Sequence, residues 1–180
     1  MRRRHLHKHN KRFIAFVAAS IDGRISLSRK SLPHWTSQED WKFLQNALAH
    51  SDAVVVGRNT YLAAAGRLRQ RQTFVLSSRP QKITRRGNVT FVNPSKVDLA
   101  ALLVEYDTVA VLGGGAVYRF MLEQGLVDEL YVTIEPLIFG RGREMFVGGK
   151  QVSHARLLSM ERLNRKGTLL LHYMIKHHKR

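Results

Sequence analysis

Residues 108–125 read TVAVLGGGAVYRFMLEQG and divide into a strand, a turn and a helix. Residues 108–112 are an apolar run with strand composition, and residues 116–125 have the pattern of a helix. The glycines between them let the backbone pass close to a ligand, at which the helix N-terminus would point its free N–H groups. We therefore expect an anion site at this turn; a tight turn that binds nothing is the alternative.

Two other predicted strands end in similar turns. Residues 53–56 (AVVV) precede Gly57-Arg58-Asn59-Thr60 and a short helix, and residues 73–76 (TFVL) end at Leu76-Ser77-Ser78-Arg79. Open α/β sheets bind ligands at the carboxyl ends of their parallel strands, so we expect the turns to meet there. The arginines suit a dinucleotide that carries an additional ribose phosphate. Neither the Rossmann nor the Walker glycine motif is present in the sequence.

The rest of the chain continues this alternation. Ser37 is a candidate N-cap, Trp41, Leu44 and Leu48 follow at helical spacing, and residues 99–106 predict a further helix. Further strands are predicted at residues 13–20, 89–92, 130–134 and 169–175. We therefore expect a three-layer α/β fold, with a mostly parallel central sheet, antiparallel C-terminal strands and helices on both faces.

The composition excludes several classes of protein. The 180 residues contain no cysteine, which excludes disulfides, thiol catalysis and cysteine-ligated zinc. The 9 histidines show no ligand spacing, so we expect no metal site. No apolar run approaches the roughly 20 residues that span a bilayer. We expect a cytoplasmic protein without membrane contact.

Positive charge is concentrated at the two ends of the chain. The 30 Lys+Arg against 13 Asp+Glu give a net charge of +17, and residues 1–12 and 176–180 predict basic tails around one domain at residues 13–175. Salt-sensitive contact with nucleic acid through these tails is one interpretation, and solvated, disordered tails are the other. No zinc-finger or RNA-binding signature is present in the sequence, so we expect no reader of bases.

Short motifs follow one another along residues 13–175 in a specific order: Ala18-Ala19, Trp35, Asp40, Gly57-Arg58-x-Thr60-Tyr61, Leu68 with Arg71, Leu76-Ser77-Ser78, Leu112-Gly113-Gly114-Gly115-x-Val117-Tyr118 and Leu130-Tyr131-x-Thr133. In order and spacing they resemble the dihydrofolate reductase family. The resemblance implies a dihydrofolate reductase-like fold and an NADPH-dependent enzyme that transfers a hydride to a pterin. It implies dihydrofolate as substrate, tetrahydrofolate as product and antifolates as ligands, and it favours a monomer over a homodimer.

The same resemblance assigns roles to single residues. Asp40 would hold the pterin ring and Thr133 would orient it, although Asp40 by itself could be a first-turn acid stabilised by the helix dipole. Among Trp41, Phe43 and Leu44, the pKa of Asp40 would be raised by burial. The other substrate-binding positions are Ala19, Leu44, Leu68, Arg71, Leu112 and Tyr118. Arg71 would be a bidentate clamp on the tail carboxylate; the alternative is that it is one of several solvated bases in residues 67–71. The cofactor-binding positions are Ala18, Gly57, Arg58, Asn59, Thr60, Leu76, Ser77, Ser78, Arg79, Gly113, Gly114, Gly115, Ala116, Val117 and Tyr118, of which Arg58, Ser78 and Arg79 would take the 2′-phosphate of NADPH.

Other motifs resemble the reductase domain of the riboflavin-pathway deaminase-reductases, which shares this fold. They are Ser20-Ile21-Asp22-Gly23-Arg24-Ile25, Trp35-Thr36-Ser37, Gly125-Leu126-Val127-Asp128-Glu129-Leu130 and Pro136-Leu137-Ile138-Phe139-Gly140. In that group a glutamate usually begins the glycine motif, and a paired-aspartate, proline and leucine segment helps to hold the phosphoribosyl substrate. Here Gly113 and Leu62-Ala63-Ala64-Ala65 stand at those places. We therefore favour folate reduction and keep reduction of a phosphoribosylamino-pyrimidine as the alternative, since Gly140-Arg141-Gly142-Arg143 departs from the folate pattern.

Overall fold

The computed structural model describes residues 11–27, 35–148 and 152–176, so most of the predicted basic tails lies outside the described residues. The helices are α1 (Gln38–Ala49), α2 (Arg58–Leu68), α3 (Leu99–Leu102) and α4 (Gly115–Glu123). The strands are β1 (Arg12–Ser20), β2 (Arg24–Ser26), β3 (Ala53–Gly57), β4 (Thr73–Leu76), β5 (Ile83–Arg86), β6 (Val89–Val92), β7 (Thr108–Val111), β8 (Glu129–Glu135), β9 (Arg143–Glu144), β10 (His154–Arg162) and β11 (Leu169–Lys176). None of the helices in the described part of the chain is long and apolar enough to cross a membrane.

The central sheet contains nine strands in the order β10-β11-β8-β1-β7-β3-β4-β6-β5. From β8 to β6 in this order, neighbouring strands are parallel. At the ends of the sheet, β11 runs antiparallel to β8 and β10, and β5 runs antiparallel to β6. The predicted mostly parallel sheet with antiparallel C-terminal strands is therefore confirmed.

Alternation along the strands divides the core into two layers. On β1, Phe13 and Ala15 pack on the face that α3 and α4 cover, whereas Ile14 and Phe16 pack on the face of α1 and α2. Residues 53–56 of β3 are buried on both faces, which explains their uninterrupted apolar run. Helices therefore cover both faces of the sheet, and the predicted three-layer fold is confirmed.

The sequence pattern did not predict β2, β5, β9 or β10, and it placed residues 24–26 of β2 in a polar loop. β2 and β9 are 3 and 2 residues long, too short for a periodic pattern. Every residue of β5 and β10 is exposed, so neither contains the apolar run by which buried strands are recognised. Two boundaries also differ from the prediction. β1 begins at Arg12, one residue before the predicted start of this strand, and the helix predicted at residues 99–106 is shorter, with Leu103 as its C-cap.

The sheet brings the three predicted ligand turns together. β7, β3 and β4 are adjacent and parallel, so the turns that follow Val111, Gly57 and Leu76 lie side by side. The N–H of Gly57 donates to the carbonyl of Gly113 at 2.9 Å, which joins the first two turns directly. On the other side of β7, beyond β1, the end of β8 lies against the N-terminal end of α1.

Candidate active site

A cleft of about 550 Å³ lies at the carboxyl ends of the central strands, between α1 and α2. It brings together many residues that the sequence assigned to a site. Those that line the cleft are Ala18, Asp40, Leu44, Asn59, Thr60, Leu68, Arg71, Leu112, Gly114, Tyr118 and Thr133. Predicted substrate-binding and cofactor-binding residues therefore share one cleft, while their individual roles stay predictions.

Asp40 is the one acidic side chain among the described residues that line the cleft. It lies in the first turn of α1, where its N–H donates to the Ser37 hydroxyl at 3.3 Å, and it is 7% exposed. Burial is the largest cause that raises the pKa of Asp40, and the charge of Glu135 raises it further. Hydrogen bonds with Thr133 and Thr36 lower the pKa, but the net shift is upward. Asp40 therefore keeps a proton more readily than an exposed aspartate does, which suits a proton donor.

A row of packed rings borders the cleft, and Phe16, Phe43 and Tyr131 of this row line it. Adjacent strands place Phe16, Tyr131 and His172 in register. The Tyr131 ring is stacked on Phe16 at 5.4 Å and on His172 at 4.0 Å, and Phe43 of α1 packs against Tyr131 at 5.2 Å. This row can pack against a flat ring. The sequence analysis assigned no site role to these rings; the spacing of Tyr131 and Thr133 on one strand is the signal that could have identified Tyr131.

Guanidinium groups line the cleft at Arg67, Arg71 and Arg143. Arg71 Nη1 donates to the Leu48 carbonyl at the end of α1 at 2.7 Å, which fixes the side chain and leaves its other N–H groups for a ligand. The Arg67 guanidinium lies 4.4 Å from the centre of the Trp41 ring. The sequence analysis included Arg71 but missed Arg67 and Arg143, because Arg67 is one of several neighbouring arginines and β9 has no periodic pattern. This charge favours an anionic ligand.

The helices behind the glycine turns begin without side-chain caps. Gly57 and Gly114 are the N-caps of α2 and α4, whereas the side chains of Ser37 and Asp98 cap α1 and α3. The first N–H groups of α2 and α4 are therefore available to an anion. Because the two turns are hydrogen bonded to each other, these N–H groups fit the diphosphate of a dinucleotide such as NADPH.

Gly113 can only be a glycine in this fold. Its φ angle is +73°, and a Cβ atom there would lie 2.3 Å from the ring of Tyr118. Tyr118 is fixed in turn, because its hydroxyl donates to the carbonyl of Phe16. Burial raises the pKa of Tyr118, so this hydroxyl keeps its proton. The absence of the glutamate that usually begins this motif in the riboflavin-pathway group therefore has a steric reason.

Several predicted site residues do not line the cleft. Of these, Ala19, Leu76 and Val117 are buried in the core. The loop of Ser77–Arg79 is held by Asn93, whose Nδ2 donates to the Pro80 carbonyl at 3.0 Å; the sequence analysis missed this residue. The complete set outside the lining is Ala19, Gly57, Arg58, Leu76, Ser77, Ser78, Arg79, Gly113, Gly115, Ala116 and Val117.

Two motifs of the riboflavin-pathway resemblance contact each other beside the cleft. The Asp22 carboxylate accepts hydrogen bonds from the Ser20 hydroxyl at 2.7 Å, the Phe139 N–H at 3.0 Å and the Gly140 N–H at 2.9 Å. The hydrogen bond from Ser20 is the largest of the causes that lower the pKa of Asp22 to about 2. This contact fixes the segment that leads to β9. Because β9 pairs with β2, Arg143 reaches the cleft.

The strand order and the joined glycine turns define a dihydrofolate reductase-like fold. The structure is similar to that of a pyrimidine reductase-like protein from Corynebacterium diphtheriae, with a TM-score of 0.76, 18% identity and 93% of each chain covered. It is also similar to dihydrofolate reductase from Enterococcus faecalis in complex with NADP(H), with a TM-score of 0.65, 23% identity and 93% of this chain and 98% of that chain covered. These similarities establish the fold.

The model of the RibD C-terminal domain matches residues 12–169, and the chain therefore belongs to the RibD C-terminal domain family. This domain is a pyrimidine reductase, which makes the protein an NADPH-dependent oxidoreductase. A diaminohydroxyphosphoribosylaminopyrimidine deaminase/5-amino-6-(5-phosphoribosylamino)uracil reductase from Thermotoga maritima aligns with a TM-score of 0.67 and 15% identity over 93% of this chain and 57% of that chain. No curated protein matches the sequence. The predicted oxidoreductase class is confirmed, and the family supports the riboflavin-pathway alternative better than folate reduction, which is a neighbour in fold.

Proposed function

We propose that the protein reduces the phosphoribosylamino group of a pyrimidine in riboflavin biosynthesis, with NADPH as hydride donor. The observation that carries this proposal is the match of the RibD C-terminal domain to residues 12–169. The cleft supports it independently, since it combines one buried carboxyl group with several guanidinium groups.

The charges of the cleft suit a phosphorylated substrate. Arg67 and Arg71 lie near the end of α2, where guanidinium groups can bind a phosphate by paired hydrogen bonds. Asp40 extends from α1 and can accept hydrogen bonds from the N–H groups of a pyrimidine. Because residues 63–65 are alanines rather than the usual acidic pair, no carboxylate of that segment opposes the attraction of these arginines for a phosphate.

The chemistry requires a hydride on a carbon and a proton on the neighbouring nitrogen. NADPH, when bound, would supply a hydride to the carbon of the C=N bond that the open-chain phosphoribosylamino group forms. Asp40 supplies the proton to the nitrogen, directly or through a water molecule, and Thr133 holds the carboxyl group in position. The rings of Phe16 and Tyr131 hold the pyrimidine and keep bulk water away from the reacting bond.

The cofactor would be held mainly by backbone groups. The first N–H groups of α2 and α4 have no side-chain cap and would bind the diphosphate. Arg58, Ser78 and Arg79, on the two adjacent turns, would bind the 2′-phosphate that distinguishes NADPH from NADH.

Reduction of dihydrofolate is the second candidate function. The observation that favours it is the hydrogen bond between Asp40 and Thr133, which is the pair that the folate resemblance implies. Leu68 and Arg71 also line the same cleft. In this reading Arg71 binds the tail carboxylate of the folate.

NADPH oxidation by the full chain should distinguish the two substrates. We expect turnover with 5-amino-6-(5-phosphoribosylamino)uracil, and a rise in its KM by about tenfold in Arg67→Leu, because a charge-assisted hydrogen bond is lost. Arg86→Leu is the matched control, since Arg86 also lies over an aromatic ring, 6.0 Å from the centre of Phe91, but outside the cleft. Turnover of dihydrofolate alone, abolished by an antifolate, would replace our proposal by the second candidate.

A further inference from the structure

Glu135 is an unusual buried acid. Its side chain is 3% exposed at the end of β8, and no salt bridge among the described residues involves it. Burial of a carboxylate without a cation costs free energy, and a second acid, Asp40, lies close by. A carboxylate whose burial costs free energy, and which lies beside a candidate catalytic acid, points to a functional role rather than a stabilising one.

Each carboxylate oxygen of Glu135 accepts a hydrogen bond. The backbone N–H of Ser37 donates to Oε1 at 2.6 Å, and the buried hydroxyl of Thr168 donates to Oε2 at 2.7 Å. Ser37 is the N-cap of α1, and its own hydroxyl accepts the N–H of Asp40. Glu135 therefore ties the turn that carries Asp40 to the sheet.

The turn between β10 and β11 strengthens this anchor. Asn164 Nδ2 donates to the Thr168 hydroxyl at 2.9 Å and to the Glu39 carboxylate at 3.2 Å. Because Glu39 directly precedes Asp40, the first turn of α1 is held both through its backbone and through a neighbouring side chain.

Glu135 also faces Asp40 with a like charge. Thr133 and Glu135 are two residues apart on β8 and so lie on the same face of the sheet; Thr133 is hydrogen bonded to Asp40. Tyr118 of α4 is the other titratable group that interacts with Asp40. The charged groups that line the same cleft are Arg67, Arg71 and Arg143.

We propose that Glu135 is a positioning residue of the reductase: it fixes the place of Asp40 through Ser37 and Thr168, and it holds a second carboxylate on the same face of β8 as Thr133, the partner of Asp40. Proton donation by Asp40 rests on the proposed function, whereas the anchor and the coupling between the two acids do not. No covalent step passes through Glu135, which acts on the reaction only through Asp40.

The direct test is the titration of the Asp40 carboxyl group by ¹³C NMR in the full chain, for the wild type and Glu135→Gln. We expect the midpoint to fall by about one pH unit in the variant, because removal of a nearby negative charge makes ionisation easier. Glu123→Gln is the matched control: it removes a carboxylate at the last residue of α4, outside the cleft, so the midpoint of Asp40 should stay unchanged. An unchanged midpoint in folded Glu135→Gln would overturn the proposal.

A second measurement does not depend on folding of that variant. In Glu135→Asp the negative charge stays at the end of β8, so the midpoint of Asp40 should remain near that of the wild type, while the shorter side chain weakens the anchor and lowers Tm. A midpoint of Asp40 that falls by about one pH unit in Glu135→Asp would also overturn the proposal. If the protein turns over neither candidate substrate but the midpoint of Asp40 shifts in Glu135→Gln, the proposed function fails and the role of Glu135 stands.

Discussion

Two parts of the proposed site are built by different means. One part is the pair of glycine turns, named the nucleotide wall after the cofactor proposed for it, and most of it lies beside the lining of the cleft; the other is the acid wall around Asp40. The nucleotide wall consists of backbone: α2 and α4 begin at glycines without side-chain caps, and the N–H of Gly57 binds the carbonyl of Gly113. The acid wall consists of side chains: Asp40 is held by Thr133, and the turn before it by Glu135. A backbone wall depends on a few glycines, whereas a side-chain wall depends on groups from distant segments.

The largest expected effect lies on the nucleotide wall. Gly113→Ala should lower the free energy of unfolding by about 3 kcal/mol or more, because strain at a positive φ angle adds to the clash with Tyr118. Gly140→Ala is the control, since Gly140 also has a positive φ angle but has no atom within 4 Å of its Cβ position. The control should lose only about 1 kcal/mol in urea unfolding. Equal losses would mean that Tyr118 does not shape this turn.

The second prediction concerns the choice of cofactor. Arg58→Ala should reduce the preference for NADPH over NADH by about tenfold, because a guanidinium–phosphate contact is removed. The measurement is kcat/KM with each cofactor at matched concentrations. Arg156→Ala, on β10 at the other end of the sheet, should change neither value. An unaltered preference in Arg58→Ala would remove this residue from the phosphate site.

The third prediction tests the acid wall through stability. Burial raises the pKa of Asp40 above its ordinary value of 3.8, so the folded state binds this proton more strongly than the unfolded state. The stability gained from protonation is present below the ordinary value and is lost as the pH rises through the folded pKa. Asp40→Asn should therefore have a higher Tm than the wild type at neutral pH and no advantage at low pH. A lower Tm of the variant at neutral pH would show that Asp40 stabilises the wall.

The smallest effect is expected beside the two walls, at Asp22. Its pKa is lowered to about 2, so the stability it contributes is present above the ordinary value of 3.8 and is lost as the pH falls through about 2. Asp22→Asn should be less stable than the wild type at neutral pH, and the two Tm values should converge at the acid end. Asp98→Asn keeps a good helix cap and should leave Tm unchanged at neutral pH. A Tm difference for Asp22→Asn that persists below pH 2 would exclude a role for the carboxylate charge.

The same contrast explains how much of the molecule could be predicted from the sequence. The nucleotide wall is local, because each turn joins a strand and a helix that are adjacent in the chain, and Gly57 and Gly113 identify it directly. On the acid wall, Asp40 and Thr133 were found only through a family resemblance. Glu135 and Thr168 were missed because their contact depends on how strands pair across a long sequence separation.

The exposed strands also could not be predicted from local sequence. β5 and β10 contain no buried run, so only their pairing partners reveal them. The sequence alone also favoured folate, the substrate that the family match supports less well. Alanines at residues 63–65 favoured folate from local residues, while the family match over residues 12–169 supports the pyrimidine.

The most direct test of the central claim is NADPH oxidation with 5-amino-6-(5-phosphoribosylamino)uracil across a pH series, for the wild type and Asp40→Asn. We predict one NADPH consumed per pyrimidine in the wild type, with a rate that declines as the pH rises through the pKa of Asp40. The variant should lose about a hundredfold or more in rate while it still binds NADPH. Absence of turnover in the wild type, or equal rates for both proteins, would contradict the account.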